Sequence, residues 1–274
     1  MSLKLTRRVP TWDGNIVGSN TVTQRLPIGL TYHQLWIEYT FSDGGAMTLA
    51  NAVDFIRVIA NGKPIWELKA SELDTMNQYH SRTAAGGILV LHFDRYNLRT
   101  RSAEEFTSLG SGAAGDPTPL TTLTVEMDLK AAVVSGTLDS RAVQSEARPL
   151  GLFKKLRRFV DAFTGSGEFQ IDDYPRRDLV NAVYFYESAN DIDRLKLEKN
   201  NFVMFDRTKE LNARIQADGV RTPQADLYAY DTTEDGNGAD QLITLDANDL
   251  RFFLTIDGAM TVTSIVEYLG ALEL

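Results

Sequence analysis

The sequence contains no cysteine, which excludes disulfides, thiolate metal sites and cysteine nucleophiles. Histidine is almost as scarce: His33, His80 and His92 stand apart, in no His-x-His or His-Glu-x-x-His pattern. Long apolar runs are missing as well. Nowhere do about 18 apolar residues follow one another, and Met1-Ser2-Leu3-Lys4 runs straight into polar residues, so neither a transmembrane helix nor a signal peptide is expected. Positive charge is in deficit, with 28 Lys and Arg against 37 Asp and Glu and a net charge of −9. A chain this acidic is repelled by phosphates, so sequence-specific nucleic-acid binding is not expected.

The catalytic signatures of common enzymes are missing too. Gly110-Ser111-Gly112-Ala113-Ala114-Gly115 matches the dinucleotide fingerprint by letter, but Asp116-Pro117-Thr118-Pro119 follows and forbids the helix on which a pyrophosphate would sit. It reads as a loop. There is no Gly-x-Ser-x-Gly elbow and no Walker loop, and the pairs Glu104-Glu105 and Asp172-Asp173 read as surface carboxylates. His92 falls on the opposite strand face from Leu91 and Phe93 and reads as a structural or surface residue.

What the chain does have is period-two alternation. Thr122-Leu123-Thr124-Val125-Glu126-Met127-Asp128-Leu129 puts its apolar residues on one face, and comparable runs lie at 34–41, 88–93, 179–186, 194–198 and 251–256. Half-buried antiparallel strands follow. Asn61-Gly62 accepts the positive φ angles of a tight hairpin turn. Short helices are expected from Ser71 to about His80, with Ser71 as N-cap, Asp74 at N3 and Leu73 and Met76 inward, and from about Thr208 to Gln216 with Leu211 and Ile215.

These elements occur twice. A hairpin turn, a strand, a helix and another strand follow Asn61-Gly62, and the same succession follows Asn200-Asn201, 139 positions on; Glu67 and Asp206 are also 139 apart. Proline marks a strand pair ahead of each block, at Leu26-Pro27 and Tyr174-Pro175, and Leu123–Leu129 is matched to the last strand around Ile265–Leu269. With 43% hydrophobic residues over 274 positions, each copy can form its own core. The expected fold is all-β: two tandem jelly-roll sandwiches with a few short helices, divided as 1–145 and 146–274. Two unrelated β-sandwiches are the alternative.

The join is placed at Ser135–Pro149, which is small, polar and without clear period. It opens into a basic stretch at 151–164, whose apolar positions 152, 153, 156, 159, 160 and 163 follow helical spacing. Lys154, Lys155, Arg157 and Arg158 lie on this expected amphipathic helix, and Lys4, Arg7 and Arg8 form a second basic group. The helix either docks between the halves or turns its basic face, together with the N-terminal group, toward anionic lipid or packaged nucleic acid. The acidic loop 231–240 offers Asp231, Glu234, Asp235 and Asp240 as oxygen ligands for calcium, or is simply solvated. No other cofactor is expected.

Three patches carry a resemblance: Leu26-Pro27-Ile28-Gly29 with Thr31-Tyr32; Gly87-Ile88-Leu89-Val90-Leu91-His92-Phe93-Asp94-Arg95; and Ile265-Val266-Glu267-Tyr268 with Gly270. In this order they resemble the major capsid protein of corticoviruses, tailless icosahedral bacteriophages with an internal membrane. The loops at 110–115 and 231–240 depart from that pattern, which points to a related but distinct virus. The resemblance implies a homotrimer forming pseudo-hexameric capsomers that pack against neighbouring capsomers over an internal lipid membrane, with minor capsid and vertex proteins as further partners. It places the chain in the virion capsid, assembled in the host cytoplasm, with no enzymatic activity. A two-domain jelly-roll protein that binds carbohydrate or processes glycans is the competing reading, and a bicupin metalloenzyme, lacking its ligands, comes third.

Overall fold

A computed structural model of the chain describes residues 3–82, 86–187, 191–238 and 249–272. The first half contains β1 (Leu5–Arg8), β2 (Thr21–Leu26), β3 (Thr31–Ser42), α1 (Leu49–Ala52), β4 (Val53–Ala60), β5 (Lys63–Lys69), α2 (Ala70–Tyr79), β6 (Ile88–His92), α3 (Arg101–Glu104), β7 (Leu123–Leu129) and β8 (Ser135–Ser145). The second contains β9 (Phe153–Phe163), β10 (Gly167–Ile171), β11 (Leu179–Tyr186), β12 (Ile192–Lys199), β13 (Phe202–Thr208), α4 (Lys209–Gln216), β14 (Leu227–Asp231), β15 (Leu250–Ile256) and β16 (Met260–Gly270).

Each half is a jelly roll of two four-stranded sheets. In the first, β1-β8-β3-β6 faces β2-β7-β4-β5; in the second, β9-β16-β11-β14 faces β10-β15-β12-β13. The period-two pattern acts as expected, because β7 buries Leu123, Val125, Met127 and Leu129 and its counterpart β15 buries Leu250, Phe252, Leu254 and Ile256. Both hairpin turns hold positive φ, at Asn61 and Gly62 and at Asn200 and Asn201.

The duplication reaches irregular features. β4 bulges against β5 between Val58 and Ile59, and β12 against β13 between Leu197 and Glu198, 139 positions later. A second pair of bulges falls at His33 in β3 and at Asn181 in β11. Asn77 of α2 donates to the Val90 carbonyl (2.9 Å), and Gln216 of α4 donates to Ala229 (3.0 Å), again 139 positions on.

Four expectations are corrected. The stretch 151–164 is no amphipathic helix: Phe153–Phe163 is a strand, paired along its length with β16. Residues 153–156 are all buried because the halves cover both faces, so the alternation that reveals a strand disappears and the remaining apolar positions imitate helical spacing. Ser135–Pro149 is not a linker, since β8 occupies most of it at the centre of a sheet. Its inward residues are small (Ser140, Ala142), between large neighbours such as Trp12, whose indole N–H donates to Ser140 Oγ at 2.9 Å. Consequently β7 corresponds to β15 and β8 to β16, rather than β7 to the final strand. The helix α2 starts at Ala70, not behind Ser71, because the Glu72 carboxylate accepts from the Lys69 backbone N–H (2.8 Å).

The two rolls meet where β5 of the first lies beside β9 of the second. A parallel bridge joins Trp66 to Leu156, and the Trp66 indole N–H donates to the Lys154 carbonyl at 2.8 Å. Through it β14-β11-β16-β9-β5-β4-β7-β2 becomes one eight-stranded sheet. The apolar core of the first roll continues across into Phe153, Leu156, Tyr184 and Ile265. Trp66→Ala removes both the ring and the N–H from this seam, and is expected to lower unfolding free energy by about 3–5 kcal/mol, measured by urea denaturation.

Candidate assembly surface and buried polar seam

Polar groups thread the seam between the rolls. Lys154 is buried, with its ammonium 4.3 Å from the Tyr96 ring centroid and 5.8 Å from that of Trp66. Burial pushes this ammonium down to about 8, against the pull of Glu267 and Asp94. Burial likewise raises Glu267, whose carboxylate accepts from Asn181 Nδ2 at 2.7 Å. Arg95 donates to Asn181 Oδ1 (2.5 Å) and to the Gly238 carbonyl (2.5 Å). On the far side of α2, Arg158 binds the Glu72 carboxylate at 2.9 Å, and the Tyr186 hydroxyl donates to the Glu72 carbonyl at 2.6 Å.

All three histidines are buried and structural. His80 stacks on Tyr96 (centroids 4.0 Å apart) and meets the Tyr184 hydroxyl at 2.7 Å. Desolvation pushes its imidazole down to about 3 and pushes His92 well below its ordinary value. His33 lies between Asp94 (3.0 Å) and Ser145 Oγ (2.8 Å). This has the connectivity of a hydrolase triad, but Ser145 and His33 are 4% and 0% exposed, so no substrate reaches the hydroxyl. Lys4 instead closes the set from outside by pairing with Asp94 and Glu105.

The seven basic residues singled out from the sequence do not form one face. Lys154 and Lys155 are buried, the latter bound to Asp178 at 2.8 Å, and Lys4 and Arg158 are half-buried in ion pairs. Arg7, Arg8 and Arg157 are exposed.

Nor do the calcium candidates converge. Asp231 is 1% exposed and pairs with Arg221 at 2.7 Å, while also accepting from the backbone and hydroxyl of Thr233. Burial pushes its carboxyl up, but Arg221 and those hydrogen bonds outweigh burial and hold it below its ordinary value. Glu234 binds Arg207 at 2.8 Å, Asp235 caps the Asn237 N–H, and Asp240 lies outside the described residues. Among the described residues no three His, Asp or Glu side chains gather as a metal would require. Gly110–Gly115 is an irregular loop with no helix after it; Ser111 Oγ ties it to Leu30 and Gly29.

Exposed apolar residues concentrate in the second half. Phe202, Val203 and Met204 on β13 are 74%, 56% and 60% exposed, and Leu211 and Ile215 on α4 are 49% and 44% exposed. The apolar residues read as the helix's packing positions therefore face outward, while Asn212 and Gln216 face the sheet. At the other end of the chain, Leu3 and Leu5 are 72% and 41% exposed. Apolar surface gathered at sheet edges is characteristic of an assembly face.

The family described as Viral coat protein P2 N-terminal domain matches residues 8–145, and Viral coat protein P2 C-terminal domain matches residues 153–272. No curated protein sequence matches the chain. Among solved structures, the major capsid protein P2 from bacteriophage PM2 superposes with a TM-score of 0.87 at 22% identity, covering 99% of this chain and 98% of that one. The STIV MCP gives 0.70 at 8% identity, covering 97% and 96%, and the PBCV-1 virus capsid gives 0.65 at 12%, covering 98% and 94%.

Two outcomes test the seam and the acidic loop. His80 and His92 stay neutral in the fold, so stability is complete above pH 6.5 and falls as the pH drops below it, where the unfolded chain takes up protons that the native one refuses. Each proton contributes about 1.4 kcal/mol per pH unit; urea midpoints between pH 4 and 6.5 should therefore fall less steeply for His80→Gln than for the parent. Asp231→Asn leaves buried Arg221 with only the exposed Asp218, at 3.0 Å, as counter-charge, and the loss of one charge-assisted hydrogen bond should cost about 1.5–3 kcal/mol, with no recovery of melting temperature on adding calcium.

Proposed function

We propose that this chain, which belongs to the viral coat protein P2 family through both of its halves, is the major capsid protein of an icosahedral shell, built from trimers in which six jelly rolls surround one axis. As a member of that family it is a structural coat protein and not an enzyme, and its place is the virion shell. The family match across both rolls displaces the carbohydrate-binding alternative.

The observation that carries the trimer is the duplication itself. Two rolls that agree down to their bulges give a threefold assembly six nearly equal units, so one chain can tile a surface almost hexagonally. Such a tile cannot occupy a fivefold position, so vertex and minor capsid proteins complete the shell. Assembly in the host cytoplasm over an internal membrane belongs to the same reading and is supported by the resemblance to corticovirus capsid proteins. With Lys154 and Lys155 buried, the exposed members of the basic set in the single chain are Arg7, Arg8 and Arg157.

Light scattering on the purified protein tests the trimer. The expected mass is three times that of the 30.5 kDa chain; a stable monomer at micromolar concentration would count against it.

A further inference from the structure

The duplication places the two halves on a common scale. α2, β4, β5 and β6 map onto α4, β12, β13 and β14 with a shift of 139 positions, as the shared bulges and the Asn77 and Gln216 hydrogen bonds show. β1 maps onto β9: Arg8 lies opposite Arg141 of β8, and Arg158 lies opposite Ile265 at the matching position of β16. Lys4-Leu5-Thr6-Arg7-Arg8 thus corresponds to Lys154-Lys155-Leu156-Arg157-Arg158.

Within the chain, the free edge of β5 is closed by β9. The corresponding edges, β13 and β1, end their sheets with no strand beyond them among the described residues. Burial differs accordingly at equivalent positions. Ile65 is 3% exposed and its counterpart Met204 60%; Phe153 is 0% and its counterpart Leu3 72%; Glu72 is 8% and its counterpart Leu211 49%. The positions sealed inside the chain are apolar and open where the chain stops, although water-facing edge strands ordinarily carry charge.

We infer that the seam is repeated between copies: β13 of one copy runs parallel to β1 of a second copy, closing three chains head to tail. The inference rests on the trimeric reading above and names the surface that makes it. Transferring the Trp66–Leu156 bridge sets Phe205 opposite Thr6. Behind that bridge Met204 is the extra residue of the β13 bulge, as Ile65 is in β5, so the pairing is carried over by segment: Phe202–Met204 comes against Leu3–Leu5, which sets the exposed apolar residues of one edge against those of the other. One step forward, Asp206 meets Arg7, of opposite charge. The next step brings Arg207 opposite Arg8, and each already has a carboxylate in its own half, Glu234 at 2.8 Å and Asp139 at 3.1 Å. A head-to-tail contact of this kind forms a closed ring when its rotation closes, and the in-chain seam supplies the alternate contacts of that ring.

The absence of native cysteine makes the test direct. Neighbouring strands lie about 4.8 Å apart, within disulfide reach, so Leu5→Cys combined with Met204→Cys should give, on mild oxidation of the assembled protein, bands up to covalent trimer in non-reducing electrophoresis. Each single variant should run as the monomer. Met204→Asp should shift the light-scattering mass from trimer toward monomer with an unchanged circular-dichroism spectrum. A parent trimer whose double-cysteine variant forms no cross-link would overturn the β13–β1 contact while leaving the trimer intact. A monomeric parent would remove the trimeric reading and this contact with it.

Discussion

Two sandwiches become one body because β5 and β9 share an edge. The Trp66–Leu156 bridge, with the Trp66 indole bonded to the Lys154 carbonyl, merges a sheet from each roll into a single eight-stranded surface. Around that seam the core of the first roll runs on into Phe153, Leu156 and Tyr184, so neither half ends in water at this face. The burial of Lys154, the placing of His80 against Tyr184 and the anchoring of α2 through Glu72 all follow from it.

The seam is polar as well as apolar. Lys154, Arg95, Glu267 and Asn181 meet where both rolls exclude water, and each buried charge there incurs desolvation that neighbours offset only in part. An apolar filling would hold two sheets together without fixing their alignment. Here a slip of one residue would strip Arg95 of Asn181 and Arg158 of Glu72, costing each guanidinium an acceptor away from water. Asn181, at the bulge of β11, bonds Arg95 in this network, and His33, at the equivalent bulge of β3, bonds Asp94 within the first roll, as expected where a bulge re-aims a side chain.

Much of the architecture could be read from the chain alone. Strands that are half-buried show their period, and so β3, β7, β12 and β15 were visible, as were both hairpin turns and the spacing between the copies. Among the strands that escaped notice, two lose their period for a physical reason: β8 is filled with small residues between aromatic neighbours, and β9 is covered on both faces. The same blindness affected the candidate sites. Lysines at 154 and 155 look solvated until a second domain covers them, and Asp231 looks like a calcium ligand until Arg221, ten positions earlier, folds onto it.

The sequence by itself determined the duplication, the jelly-roll class, the lack of catalytic clusters and the likeness to viral coat proteins, because local period, turn chemistry and residue spacing are properties of the linear chain. Only the tertiary structure decided which charges are buried and which edges stay open. Those depend on one roll covering the other, and no window of sequence contains both surfaces. Phe202, Met204, Leu3 and Leu5 are ordinary strand residues in the sequence; they become an assembly face because their counterparts are sealed and they are not.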